Sequence, residues 1–158
     1  MKKVSQRYYF AYGSNLSSLK MNKWSMNVEF VTTARLDNWQ FAMNKKGKDG
    51  CCRANIEEKD DEHVWGVIYR IPEYKIEKLD EYEGLGKGYR ADWLNVLGKN
   101  GESINAYVYI GKKLKNNLPV HKWYSDFIIS GAREHKLPLE YVFKLENILD
   151  KLDVKKVG

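Results

Sequence analysis

Tyr8-Tyr9-Phe10-Ala11-Tyr12-Gly13-Ser14-Asn15-Leu16 is the stretch whose reading decides the fold. Four aromatics with one alanine among them suit a strand buried on both faces. Gly-Ser-Asn then suits a sharp turn, because Gly tolerates positive φ and the Ser and Asn side chains bond nearby backbone N–H groups. Leu16 to Trp24 has helical character, with Ser17 or Ser18 as its cap. A strand that breaks at such a turn into a helix aims backbone N–H groups at one point, which suits a carboxylate, a phosphate or a developing oxyanion. An ordinary strand–turn–helix start satisfies the same residues, so the rest of the chain has to decide.

Downstream, Asn27 to Trp39 reads as strand, with Val28, Phe30 and Thr32 alternating with Glu29, Val31 and Thr33, and Gln40 to Asn44 extends it. Asn44 to Arg53 is Lys- and Gly-rich and reads as a polar, mobile flap. Ala54–Glu57 is a short strand, Glu58-Lys59-Asp60-Asp61-Glu62 a charged turn, and His63–Arg70 a buried strand. Pro72 opens a helix with Glu73 in its first turn, and Gly84 closes it after Glu83. Tyr89–Leu97 and Ser103–Ile110 flank Gly98-Lys99-Asn100-Gly101, whose Asn-Gly marks a hairpin. In the second of these strands Ile104, Ala106, Val108 and Ile110 share a face. Gly111–Pro119 is a polar linker. Val120–His135 and Pro138–Leu152 read as closing helices, the last with Val142, Leu145, Leu149 and Leu152 in an amphipathic stripe that packs on the sheet. The pattern predicts a single α+β domain over residues 1–158, a mixed, curled, barrel-like sheet with flanking helices.

Hydrophobic content of 43% and charged content of 30% are those of an ordinary globular protein. The basic start Met1–Arg7 is not followed by an apolar signal core, and no apolar run approaches the roughly 20 residues of a membrane span. A cytoplasmic protein without membrane contact is the expectation. Cys51 and Cys52 are adjacent, too close for an unstrained disulfide, and fit free thiols in a reducing compartment. The net charge of +6 raises the question of polyanionic partners. Yet Lys45-Lys46-Gly47-Lys48, Lys112-Lys113 and Lys155-Lys156 form no stripe with interleaved aromatics, and no nucleic-acid motif is present. A solvated surface, compatible with small acidic substrates, is the expected reading. Trp24 and Trp39 are candidates for a homodimer face and equally for the core.

Few residues offer chemistry. His63, His121 and His135 are far apart and lack metal-ligand spacing, so no metal is expected. Ser14 sits where a strand turns into a helix, but the G-x-S-x-G pattern is missing. Neither a P-loop nor a dinucleotide fingerprint occurs. The helix Pro72–Glu83 is more telling. Ile76 and Leu79 are its apolar anchors, and the same stripe continued by four reaches Glu83. Glu77 and Glu81 fall on other faces, and Glu73 and Asp80 at the margin, where all four stay solvated. Burial and the negative end of the helix dipole both raise the pKa of Glu83 toward the range of a general base. A frayed helix end with Glu83 in water is the competing reading. Gly84-Leu85-Gly86-Lys87-Gly88-Tyr89 follows, either a plain connector or a close backbone approach to a ligand.

Through Tyr9–Leu16, Val64-Trp65-Gly66-Val67, Leu79-Asp80-Glu81-Tyr82-Glu83-Gly84, Gly131-Ala132-Arg133-Glu134 and Leu137-Pro138-Leu139-Glu140-Tyr141, the chain resembles the γ-glutamylcyclotransferase (AIG2-like) family. These motifs run in order from about Tyr8 to Leu145. The resemblance implies a barrel-like mixed sheet with flanking helices. It also implies conversion of γ-glutamyl-amino acids or γ-glutamyl-amines to 5-oxoproline, with no metal or organic cofactor. Carried over by position, it makes Glu83 the catalytic acid/base and Tyr9, Phe10, Ala11, Tyr12, Gly13, Ser14 and Asn15 the substrate-binding segment. Tyr124 matches a tyrosine that touches substrate, and Tyr89 an aromatic lining position. The chain departs from the pattern at Cys51-Cys52-Arg53, where relatives have smaller residues, and aligns loosely over Val28–Asn44. The first departure bears on the leaving-amine side. A non-catalytic binding module of the same fold and a basic nucleic-acid-binding domain are the alternatives.

Overall fold

In the computed structural model, which describes residues 5–23 and 28–155, the opening stretch is the strand that closes a barrel. β1 (Gln6–Ala11) runs antiparallel to β3 (Cys52–Pro72), from Gln6 opposite Pro72 to Ala11 opposite Val67. Its other edge is parallel to β5 (Ser103–Gly111), where Tyr9 faces Tyr107. With β2 (Glu29–Lys46) and β4 (Tyr89–Gly98), the order around the barrel is β1-β3-β2-β4-β5. One parallel pair among antiparallel ones makes the sheet mixed, and closure leaves it no free edge. Tyr9, Phe10 and Ala11 are buried, whereas Tyr8 is 37% exposed. The expected α+β barrel with flanking helices is the fold observed.

β2 and β3 form one long hairpin, and here the sequence reading needs two corrections. Glu58–Glu62 is not a turn but part of β3. Asp37 pairs with His63 and Trp39 with Glu58, so the charged residues between bulge outward. Asn38 and Asp61 adopt positive φ (67° and 64°) there, and the Asp61 N–H donates to Asn38 Oδ1 at 3.2 Å. The supposed flap over Asn44–Arg53 shrinks to a closed turn between Lys46 and Cys52. Gly47 N–H donates to Cys51 O at 2.8 Å, and Cys52 N–H to Pro119 O at 2.8 Å. Cys51 and Cys52 are buried free thiols. Trp39 is buried in the core, while Trp24 and Asn27 lie outside the described residues.

The turn after β1 differs in detail from expectation. Gly13 has a φ of −115°, so positive φ is not its purpose. Space is: a Cβ at Gly13 would lie 2.8 Å from Ala54 Cβ. Ser14–Leu16 forms a single 3-10 turn, and only then does α1 (Ser18–Lys23) begin. Ser17 is its cap, receiving the Lys20 N–H on Oγ at 3.2 Å. Neither closing helix keeps its predicted ends. Val120–His121 is a short strand, β6, paired parallel with β7 (Val154–Lys155), a strand the sequence pattern does not announce. α3 spans Lys122–Glu134 and α4 Leu139–Asp150. Val142, Leu145 and Leu149 are buried, as the stripe predicts, while Leu152 is half-buried. No helix among the described residues is long and apolar enough to cross a membrane.

α3 rests directly on the 3-10 turn at Gly131, where an added Cβ would lie 2.5 Å from the Leu16 carbonyl carbon and the Ser17 nitrogen. Backbone on backbone leaves no flexible group to yield. Gly131→Ala is therefore expected to destabilise the protein by about 1–3 kcal/mol through overpacking. At this chain length that lowers the melting temperature by about 2–4 °C per kcal/mol. Thermal unfolding measures it.

Candidate active site

α2 (Glu73–Glu83) is pinned across the barrel mouth at two points. At its start, Arg7 of β1 forks onto Glu73, with Nε to Oε1 at 3.0 Å and Nη2 to Oε2 at 2.7 Å. Farther along, Asp80 Oδ1 accepts both the Tyr107 hydroxyl at 2.8 Å and the Tyr109 hydroxyl at 2.6 Å. Glu73 keeps the partial exposure expected at the margin while paired with Arg7, but Asp80 is not simply solvated, since β5 buries Tyr107 and Tyr109 as well as its aliphatic face. Glu77 and Glu81 are exposed, as expected. Ile76 and Leu79 are buried, and the stripe they define delivers Glu83 to the site. Gly84 stops the helix in a left-handed conformation (φ 65°), its N–H donating to Glu81 O at 3.1 Å.

Glu83 lines a cleft of about 600 Å³ together with Tyr9, Tyr12, Gly13, Ser14, Asn15, Tyr89 and Tyr124. Phe10 and Ala11 are not among the lining residues. Alternation along β1 sends Phe10 into the core, where it packs against Gly66, and a Cβ on Gly66 would lie 2.3 Å from Ala11 O. Asn15 joins the two halves of the cleft: its Nδ2 donates to Glu83 Oε1 at 3.2 Å and to the Tyr9 hydroxyl at 2.9 Å. Asn15 Oδ1 is buried with no partner within the protein. The Tyr124 hydroxyl accepts the Ala54 N–H at 2.8 Å, and the Tyr89 hydroxyl donates to Ala54 O at 2.8 Å. These two tyrosines fix the far wall through one residue of β3.

Glu83 is half-buried, and the loss of water around its carboxylate raises its pKa above the ordinary glutamate value. Lys20, the Asn15 hydrogen bond, Lys45 and Arg53 oppose that rise without cancelling it. Burial also lowers the Lys20 ammonium to about 8, against the pull of Glu83. Burial, reinforced by the Glu83 charge, drives the Tyr9 hydroxyl well above the usual phenol range, so it stays protonated.

Sequence reasoning did not find Lys20 or Lys45, and met Arg53 only within the Cys51-Cys52-Arg53 departure on the leaving-amine side. Lys20 lies on α1, lines the cleft and donates to Ser14 Oγ. Ser14 Oγ accepts from Lys20 and lies beside Tyr124, so no serine–histidine pair forms at this turn among the described residues. The missing side chain of Gly88 makes room for Lys45 Nζ, 2.8 Å from where a Cβ would stand, and Gly88 itself lines the cleft. Arg53 lies over the Tyr124 ring at 5.1 Å and pairs with Asp49 at 3.0 Å. The fold also brings donor atoms of Asp49, Cys51 and His121 within 4.8 Å of one another. Asp49 Oδ2 is already taken by Arg53 and by His121 at 2.7 Å, and a guanidinium at that oxygen repels a cation, so the trio does not fit a metal.

Asp80 acts on the site through α2. Asp80→Ala leaves two tyrosine hydroxyls without their acceptor, at a cost of about 1–3 kcal/mol, and frees the turn of helix that carries Glu83. A several-fold fall in kcat with KM little changed is expected, with partial rescue by Asp80→Asn, which keeps one acceptor oxygen. Steady-state kinetics of the two variants checks it.

The comparisons with known proteins agree with this geometry. A family model described as the AIG2-like family matches residues 63–145, more than half of the chain. The chain is 32% identical over 148 residues to γ-glutamylcyclotransferase of Mus musculus, covering 89% of this chain and 77% of that protein. It is 32% identical over 146 residues to that of Homo sapiens, with the same coverage. A solved structure of a γ-glutamyl cyclotransferase superposes with a TM-score of 0.86 at 26% identity, over 98% of this chain and 92% of that one. The chain therefore belongs to the γ-glutamylcyclotransferase and AIG2-like family that its motifs resemble.

Proposed function

We propose that this cleft converts a γ-glutamyl-amino acid or γ-glutamyl-amine into 5-oxoproline and the free amine, with Glu83 as general base and then general acid. The observation that carries the proposal is the Asn15–Glu83 contact at 3.2 Å, which joins the Gly13–Asn15 turn to a carboxylate of raised pKa. A substrate ammonium received by Glu83 lies beside that turn, because Asn15 ties Glu83 to it. The α-carboxylate, one carbon away, then falls on the turn. The N–H groups of Gly13, Ser14 and Asn15 make no hydrogen bond to another described residue, and Lys20, bonded to Ser14 Oγ, adds positive charge beside them.

Held in this way, the γ-glutamyl chain folds back on itself. Glu83 takes a proton from the ammonium, and the freed amine attacks the γ-carbonyl carbon. A new C–N bond closes the five-membered ring, and Glu83 passes its proton to the old amide nitrogen. As that C–N bond breaks, Glu83 takes the second proton from the ring nitrogen, which the released amine then carries away as an ammonium. The substrate supplies both reacting groups, so the enzyme's largest contribution is orientation, which can be worth several kcal/mol. Every bond and proton is accounted for by substrate and one carboxylate, so the step calls for neither metal nor organic cofactor. In class this is a lyase or acyltransferase reaction. A module that merely binds acidic ligands gains nothing from a carboxylate turned into its pocket.

The test is incubation with a panel of γ-glutamyl compounds and assay of free 5-oxoproline. Release from at least one is expected. Silence across the panel with intact, folded protein would favour the binding module.

A further inference from the structure

The cleft is more basic than the chemistry at Glu83 requires. Lys46, Lys48, Lys87 and Lys113 line it with exposed side chains, and none of the four has an ion-pair partner among the described residues. They come from three segments of chain: the β2–β3 turn, the link after α2, and the residues following β5. The fold ties these segments together, with Lys46 N–H donating to Lys113 O at 2.8 Å and Lys112 N–H to Gly88 O at 2.9 Å. The gathering of charge is therefore tertiary and not a run in the sequence.

Nearby acids do not neutralise it. Among the described residues three acids line the cleft, Asp49, Glu81 and Glu83, against seven lysine and arginine side chains, and Asp49 is already engaged by Arg53 and His121. The crowding is felt inside the cleft, where Lys45 has its pKa lowered by burial and then by Arg53, Lys113 and Lys48, against the pull of Glu83. Like charges held around one opening cost energy, and a bound anion relieves it. A γ-glutamyl group seated between Glu83 and the Gly13–Asn15 turn leaves the rest of the substrate to extend toward this rim.

We infer that the lysine rim is a subsite for the leaving amine, and that it selects amines carrying two or more negative charges over neutral or cationic ones. Dicarboxylic amines and phosphorylated amines share that chemistry. The lysines form no covalent bond. They hold the anionic end while the amide C–N bond breaks and the proton from Glu83 reaches the departing nitrogen. This inference rests on the cyclotransferase reading and adds the substrate class to it.

The test compares kcat/KM for release of 5-oxoproline from five compounds: γ-glutamyl-glutamate, γ-glutamyl-phosphoethanolamine, γ-glutamyl-alanine, γ-glutamyl-ethylamide and a γ-glutamyl conjugate of lysine amide. At low ionic strength at least one of the first two is expected to exceed the cationic conjugate by about a hundredfold, and which one leads separates a carboxylate from a phosphate ligand. The gap should narrow in salt, as the Debye length falls from about 10 Å at 0.1 M to about 3 Å at 1 M. Combining Lys48→Gln, Lys87→Gln and Lys113→Gln should cut the anionic-over-cationic ratio by about tenfold, equivalent to about 1.4 kcal/mol. Each single variant should move it part of the way. Lys59→Gln, on the exposed bulge of β3, should leave the ratio alone. Turnover of γ-glutamyl-alanine with no dependence on leaving-group charge would overturn the rim inference and keep the cyclotransferase. An unchanged ratio in the variants would also overturn the inference. No 5-oxoproline from any compound would overturn both.

Discussion

Glu83→Gln is expected to lower the rate of 5-oxoproline release by about 10²–10⁴, the usual worth of a general acid–base group. The protein should still fold. Gln keeps the size of the side chain and a carbonyl oxygen to accept from Asn15 Nδ2, which donates to Glu83 Oε1 at 3.2 Å. What it loses is the capacity to take a proton from an ammonium and hand one on. Glu81→Gln is the control, because Glu81 is exposed on another face of the same helix, and little change is expected. Near-full activity in Glu83→Gln would remove Glu83 from the mechanism, and loss in Glu81→Gln would move the role by two residues.

The same substitution has a second readout with its own sign. Burial raises the folded-state pKa of Glu83 above the unfolded value. The group therefore favours the folded state fully only below its unfolded pKa of about 4.3, and that contribution fades as pH rises through the folded value. Above the folded-state value the wild type carries a charge that burial disfavours, and Gln does not. Glu83→Gln should thus melt at a higher temperature than wild type at pH 7, with the two curves converging below about pH 4. An active site that costs stability fits a group kept for chemistry.

How much of this was legible in the sequence depends on the length scale of the cause. The β1–turn–α1 start, the Gly84 stop and the Asn-Gly hairpin are local, and the residues that cause them are adjacent in the chain. Glu83 was also within reach, because helical periodicity carries the Ile76–Leu79 stripe one turn further. Asp80 was not. Its place depends on Tyr107 and Tyr109, which the alternation of β5 hid, since both faces of that strand are buried. Glu58–Glu62 misled for a related reason: a run of charges can bulge out of a long strand pair without ending it. Lys20 and Lys45 carry no local signal, and Arg53 only that of its departure from the family pattern. Their proximity to Glu83 is created by closure of the barrel and by α1 packing beside the turn. The role of Gly13 was misread as conformational when it is steric, and only Ala54, across the sheet, reveals that.

Lys20→Met is the variant that separates the electrostatics of the site from its shape. Lys20 is buried, its ammonium is lowered to about 8 by that burial, and it is the largest of the influences that hold the Glu83 pKa down. Met has similar length and packs in the same space, but it removes the charge beside Glu83 and the bond to Ser14 Oγ. In the wild type, kcat/KM should fall on the acid side as Glu83 gains a proton, above the ordinary glutamate range. It should fall again on the alkaline side near pH 8, as Lys20 loses its charge beside the anion-binding turn. In Lys20→Met the acid limb should move to higher pH, because burial then acts on Glu83 with less opposition, and the alkaline limb assigned to Lys20 should disappear. At pH 7 the loss should be about tenfold. That is below the 10²–10³ typical of a donor that touches the oxyanion, since Lys20 works through Ser14 and through its charge. In the wild type the two limbs belong to a coupled pair, so removing Lys20 should both abolish one and move the other. If Lys20→Met loses activity by a constant factor at every pH, its contribution is packing alone and the raised pKa of Glu83 owes nothing to it.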